Sequence, residues 1–129
     1  MKRTDIRAWI AGYERAWRAA GTAGLTELFT ETAIYRPSPY AEPIVGVAAI
    51  AEMWDAERES PDELFTLRSH TLAVDGDLAV VRVDVAYGRP VTREYRDLWV
   101  IRFAADGRCD SFEEWPFWPG QPLSVEAGG

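Results

Sequence analysis

The chain predicts an α+β fold in which N-terminal helices pack on a curved, mostly antiparallel sheet. In the first half, apolar residues recur at the three-and-four spacing of helices; in the second they alternate with period two. Asp75-Gly76 and Asp106-Gly107 each stand between strand-like runs, where a tight primed turn needs positive φ. Helices first and hairpins afterwards is the order of a sheet with its helices gathered on one face.

Ile6, Trp9, Ile10, Tyr13 and Trp17 share one helical stripe, so a first helix is expected over about 5–20, capped by Thr4 and stopped by Gly21. Leu25, Leu28 and Phe29 mark a short second helix, 23–30. Ala33-Ile34-Tyr35-Arg36 reads as a strand that Pro37 and Pro39 end, because proline cannot donate to a ladder. An irregular loop runs to Gly46, and a third helix over 47–59 places Ile50, Met53 and Trp54 on one stripe. Four strands follow: 64–74 and 78–87 around the first turn, 95–103 and 108–117 around the second. One domain is expected over 1–118, with a loose tail over 119–129.

Composition narrows the partners. The net charge is −7 and no basic cluster occurs, which argues against phosphate backbones and anionic membrane surfaces. No run of about 18 apolar residues predicts a membrane span. One cysteine, Cys109, cannot form an intrachain disulfide and fits a reducing compartment, so the cytoplasm is the expected location. His70 is the only histidine and has no second ligand at useful spacing, so no metal site is expected. No phosphate loop or nucleotide fingerprint is present, and no cofactor is implied.

Arg82 and Asp84 stand two apart in Val80-Val81-Arg82-Val83-Asp84-Val85, and so share a face. Counting across the first turn sets Ser69 opposite Arg82 and turns His70 to the other face. The 78–87 strand is apolar on both sides, which asks for cover on both. Helices cover one; a second copy of the chain is expected on the other, giving a homodimer through the outer sheet face. Asp97 sits in the aromatic and aliphatic row of Tyr95, Trp99, Ile101 and Phe103, where a carboxylate requires a partner. Arg82 and Arg96 are the candidates, and a salt bridge at the sheet edge is the other reading. Trp115-Pro116-Phe117-Trp118-Pro119 could form a lid or an edge contact.

The strings Leu28-Phe29-Thr30-Glu31-Thr32-Ala33-Ile34-Tyr35, Glu42-Pro43-Ile44-Val45-Gly46-Val47-Ala48-Ala49-Ile50 and Asp97-Leu98-Trp99-Val100-Ile101-Arg102-Phe103 resemble the SnoaL-like part of the nuclear-transport-factor-2-like superfamily. The resemblance runs to about Trp118. It implies a cone-shaped α+β barrel with a pocket between the helices and the concave sheet. It leaves open an isomerase, cyclase or hydrolase, a non-catalytic ligand-binding protein, or a scaffold.

Two enzymatic relatives can be compared residue by residue. Tyr13 falls where ketosteroid isomerase carries its oxyanion-binding tyrosine, but its base position falls on Pro37 and its oxyanion aspartate on Trp99. Limonene-1,2-epoxide hydrolase offers more: its Arg-x-Asp pair resembles Arg82-Val83-Asp84, its last acid corresponds to Glu114 and its water-binding tyrosine to Tyr35, while its asparagine becomes Pro37. That resemblance implies Asp84 as general acid, Arg82 bridging both carboxylates, and Glu114 with Tyr35 activating water. Arginine's planar fork suits two acids at once, and bridged acids can differ in protonation. The expected catalytic set is therefore Arg82, Asp84, Glu114 and Tyr35, and the expected substrate-binding set Tyr13, Trp17, Trp54, Asp97, Trp99 and Phe112. The expected ligand is a small hydrophobic molecule, handled by cofactor-free acid–base chemistry.

Overall fold

The computed structural model describes residues 1–58 and 63–122. Helix α1, Arg3–Arg18, buries Ile6, Trp9, Ile10 and Tyr13 along the stripe read from the sequence. Its start lies earlier than Thr4: the Asp5 carboxylate reaches back to accept the Lys2 backbone N–H at 2.9 Å. Helix α2 is a single turn, Leu25–Leu28. Strand β1, Phe29–Arg36, then begins four residues before the expected start, since Thr30, Thr32 and Ile34 favour extended backbone. Pro37 ends it as expected.

The loop after β1 holds a two-residue strand, β2, Ile44–Val45, paired antiparallel to β1. Two residues carry too little periodicity to be read from sequence. Gly46 follows at φ +93°, a conformation that side chains disfavour, and turns the chain into α3, Val47–Glu57. The remaining strands are β3, Phe65–Asp75, β4, Leu78–Tyr87, β5, Arg93–Phe103, and β6, Cys109–Trp115. Sheet order is β2-β1-β6-β5-β4-β3, curved and unclosed, with only the β1–β6 pair parallel. Most of the tail expected over 119–129 lies outside the described residues, as does the last position of the third helix expected over 47–59. No helix among the described residues is long and apolar enough to cross a membrane.

The register decides which side chains share a face. Gly76 adopts positive φ in the first hairpin turn, and Asp75 pairs with Leu78. That closure is tighter than the count from sequence assumes; a bulge at Leu72 then shifts the register by one, from Thr71 to His70, so that His70 and not Ser69 lies opposite Arg82. Across β4, β5 and β6, Val81 pairs with Trp99 and Trp99 with Glu114. That row faces the helices, together with the buried Ala79 and Val83. Arg82 pairs with Leu98, and Leu98 with Trp115, on the convex side.

The core fills the space between the helices and the concave face. Trp9 touches Tyr13, Phe29, Phe103 and Phe112 at ring separations of 5.6–6.2 Å. Its indole N–H is satisfied by the Leu28 carbonyl at 3.0 Å, as a buried tryptophan requires.

Candidate active site

Toward one end of the sheet the core opens into a cavity of about 290 Å³. Helix α1 contributes Tyr13 and Trp17, α3 contributes Met53 and Glu57, and β1 contributes Tyr35. The inward rows of β4 and β5 supply Val85, Tyr87, Arg93, Tyr95, Asp97 and Trp99. Glu114 enters from β6, and Pro116 and Trp118 follow beyond that strand's end.

Among the polar groups of this wall are the Glu114 and Asp97 carboxyls and the Tyr13 and Tyr35 phenols. The Tyr35 hydroxyl donates to Glu114 Oε1 at 3.2 Å. The Tyr13 phenol lies close enough to that of Tyr35 for each to shift the other's ionisation. A hydrogen bond therefore joins β1 to β6, with the α1 phenol beside it. Asp97 takes the Trp99 indole N–H on Oδ2 at 3.3 Å, while its Oδ1 has no hydrogen-bond partner among the described residues.

Burial sets the protonation of these groups. It pushes the Glu114 carboxyl up to about 8, reinforced by the charge of Asp97 and opposed by the Tyr35 hydroxyl. Asp97 is also raised by burial, to about 6, with the Trp99 indole and the Phe117 backbone N–H holding it lower. Near neutral pH, Glu114 is mostly a neutral acid and Asp97 mostly an anion. Two acids separated in this way can give and take protons on one substrate. Tyr13 and Tyr35 are both pushed well above the usual phenol range by burial, so they remain protonated donors.

Six of the ten residues picked out from the sequence meet at this cavity: Tyr13, Trp17, Tyr35, Asp97, Trp99 and Glu114. Arg82 and Asp84 do not. They pair with each other at 3.4 Å on the convex face, with side chains 47% and 41% exposed. The expected Arg82 bridge between Asp84 and Glu114 is absent, because strand alternation turns Arg82 outward wherever Val81 and Val83 point inward. Neither arginine proposed for Asp97 serves it either, since Arg82 and Arg96 both belong to the outward rows. Trp54 and Phe112 are fully buried behind the cavity wall. Trp54 lies 5.0 Å from the Tyr13 ring and 4.8 Å from Trp17, and Phe112 stacks on Tyr35 at 4.7 Å.

Glu57, Tyr87, Arg93 and Tyr95 were missed as wall residues. Tyr95 and Arg93 continue the alternation that selected Asp97 and Trp99, so that pattern contained the signal. Cys109 is buried, with its thiol raised to beyond the usual range by burial and its Sγ donating to the Ser111 carbonyl at 3.3 Å. His70 lies exposed, away from the cavity, as expected, but on the same convex face as Arg82.

No curated protein matches the sequence. Solved structures share the fold at low identity. An isomerase-assigned member of the SnoaL-like family from Agrobacterium tumefaciens C58 is 18% identical with a TM-score of 0.71, covering 88% of this chain and 98% of its own. An NTF-2 like protein from Burkholderia xenovorans LB400 is 16% identical with a TM-score of 0.68, covering 99% and 94%. The epoxide hydrolase/cyclase-like enzyme SalBIII, of pyran ring formation in the polyether salinomycin, is 19% identical with a TM-score of 0.68, covering 88% and 90%. Residues 6–111 match the SnoaL-like domain, and the chain belongs to that family.

Proposed function

We propose that this protein is an acid–base enzyme that needs no cofactor and isomerises or cyclises a small, largely apolar molecule held in the cavity. Glu114 is the general acid, Asp97 the general base, and the Tyr35 hydroxyl orients the Glu114 carboxyl. The observation that carries this is the split protonation of Asp97 and Glu114 across one ligand-sized space. Asp97 receives a proton from the substrate, Glu114 delivers one to a developing oxyanion, and Tyr35 keeps Glu114 from rotating away. The epoxide hydrolase/cyclase-like enzyme among the similar structures supports ring chemistry as the direction to search.

A panel of epoxides, lactones and unsaturated ketones supplies the test. Glu114→Gln and Asp97→Asn should each lower kcat by about 10²–10⁴, the usual share of one acid or base. The rate should peak between the two carboxyl values, near 6 and near 8. Binding without turnover, or turnover indifferent to both substitutions, would make the cavity a ligand carrier instead.

We further propose a homodimer through the convex sheet face. Trp115 is exposed there, 39%, beside the half-buried Val80, Leu98 and Val100. Light scattering should give twice the 14.5 kDa chain mass, and Leu98→Asp should return a monomer. A monomeric wild type contradicts the assignment. The cytoplasm remains the proposed compartment, supported by the single buried thiol.

A further inference from the structure

Trp118 is 46% exposed, yet it lines the cavity together with Glu114 and Pro116. Alternation accounts for the placement. Glu114, Pro116 and Trp118 fall two apart and share the inward side, while Trp115 pairs with Leu98 on the convex face. Strand β6 ends at Trp115, and neither Pro116 nor Pro119 has an N–H with which to prolong a ladder. Among the described residues, one backbone–backbone hydrogen bond ties this stretch to β5, from the Arg96 N–H to the Phe117 carbonyl at 2.9 Å. The chain then turns on itself, the Gln121 N–H donating to the Trp118 carbonyl at 3.2 Å.

A second space adjoins the first. A cleft of about 470 Å³, lined by Val91, Thr92, Glu94 and Pro119, shares Arg93, Tyr95 and Trp118 with the cavity. The two spaces are therefore separated by a wall of three side chains. Two of them are held in the sheet on β5. Arg93 lies 4.4 Å over the Tyr87 ring and 3.8 Å from Glu63 Oε1, and the Tyr95 ring lies 6.2 Å from that of Tyr87. Trp118 is the third, it is the largest, and it stands outside the ladder.

Volume decides what this wall does. The cavity's 290 Å³ or so is roughly twice the ~150 Å³ that holds a benzene molecule. One ring with an arm of a few carbons fills it. A longer molecule meets the shared wall before it reaches the cleft.

We infer that Trp118 sets the length of molecule the cavity accepts, its indole closing the cavity off from the adjoining cleft. This rests on the reading of the cavity as the site for a small apolar molecule, and it names the residue that limits that molecule's size.

Three neutral probes that share a head and differ in length test this by calorimetric titration: benzyl alcohol, 4-propylbenzyl alcohol and 4-hexylbenzyl alcohol. Each methylene taken out of water tightens binding about fourfold. In the wild type the affinity should rise from the first probe to the second and then level off or fall at the third. Trp118→Ala should tighten 4-hexylbenzyl alcohol by at least about tenfold, as two or more further methylenes enter the cleft, and leave benzyl alcohol within about threefold. Trp118→Leu should show the same gain in smaller measure, and it carries the test if the alanine variant fails to fold. Wild-type affinity that keeps rising through the hexyl probe overturns the inference, with no variant needed. A substitution that changes all three probes alike overturns it as well. No binding by any probe overturns it together with the cavity as a binding site. A length limit that moves with Trp118 in a protein without turnover supports it and removes only the catalytic reading.

Discussion

Glu114 keeps a proton that the unfolded chain would release, and this has a consequence for stability. Below the ordinary carboxyl value of 4.5 both states bind the proton and pH has no effect through this group. Between 4.5 and about 8 the folded state alone holds it, so stability falls as pH rises, and above about 8 the loss is complete. Each unit corresponds to about 1.4 kcal/mol, so the whole window amounts to a few kcal/mol. Glu114→Gln retains a group that hydrogen-bonds Tyr35 but cannot ionise. It should raise Tm by on the order of 5–10 °C at alkaline pH, and by little at acidic pH where both forms are neutral. Scanning calorimetry at the two pH values checks this; a variant destabilised at both would show that Glu114 is charged in the native state.

Among the elements, the junction of α1 and α3 depends on one side chain. Arg58 follows α3 and donates from Nη1 to the Ala19 carbonyl and from Nη2 to the Gly21 carbonyl, both at 2.6 Å. Its guanidinium also lies 5.6 Å over Trp17 and 5.8 Å over Trp54. It therefore satisfies carbonyls where α1 ends and holds Trp17 against the cavity. Arg58→Ala should lower the unfolding free energy by about 2–3 kcal/mol in urea titrations, and Arg58→Lys should recover less than half, because an ammonium cannot span two carbonyls and lie over a ring. Full recovery by lysine would show that charge alone matters there. The sheet illustrates what sequence could and could not convey at this scale. Both hairpin turns were legible because their Asp-Gly pairs demand a particular backbone. The Leu72 bulge was not, since an inserted residue leaves no compositional mark; it moved the partner of Arg82 from Thr71 to His70, while the expected Ser69 had assumed a wider turn.

For the molecule as a whole, the division into a helical first half and a hairpin second half was readable from periodicity, and so was the inward row of Tyr95, Asp97 and Trp99. Asp97 was recognisable because a carboxylate on an apolar row is costly unless it has a purpose, and Glu114 through the resemblance of the last strand to an epoxide hydrolase. Arg82 was misplaced for a physical reason. Strand β4 is apolar on both faces, Ala79, Val81 and Val83 on one and Leu78, Val80 and Ala86 on the other, so hydrophobicity could not orient it. The neighbouring strand did orient it, through the pairing of Val83 with Asp97. With Arg82 on the convex face, burial is the first cause that raises both acids, and the charge of Asp97 raises Glu114 further. Carbon-13 NMR titration of the Asp97 and Glu114 carboxyls in the ligand-free protein tests this most directly. Two macroscopic steps, near 6 and near 8, are expected, the higher one lost in Glu114→Gln. Two carboxyls titrating together near 4 would contradict the acid–base pair.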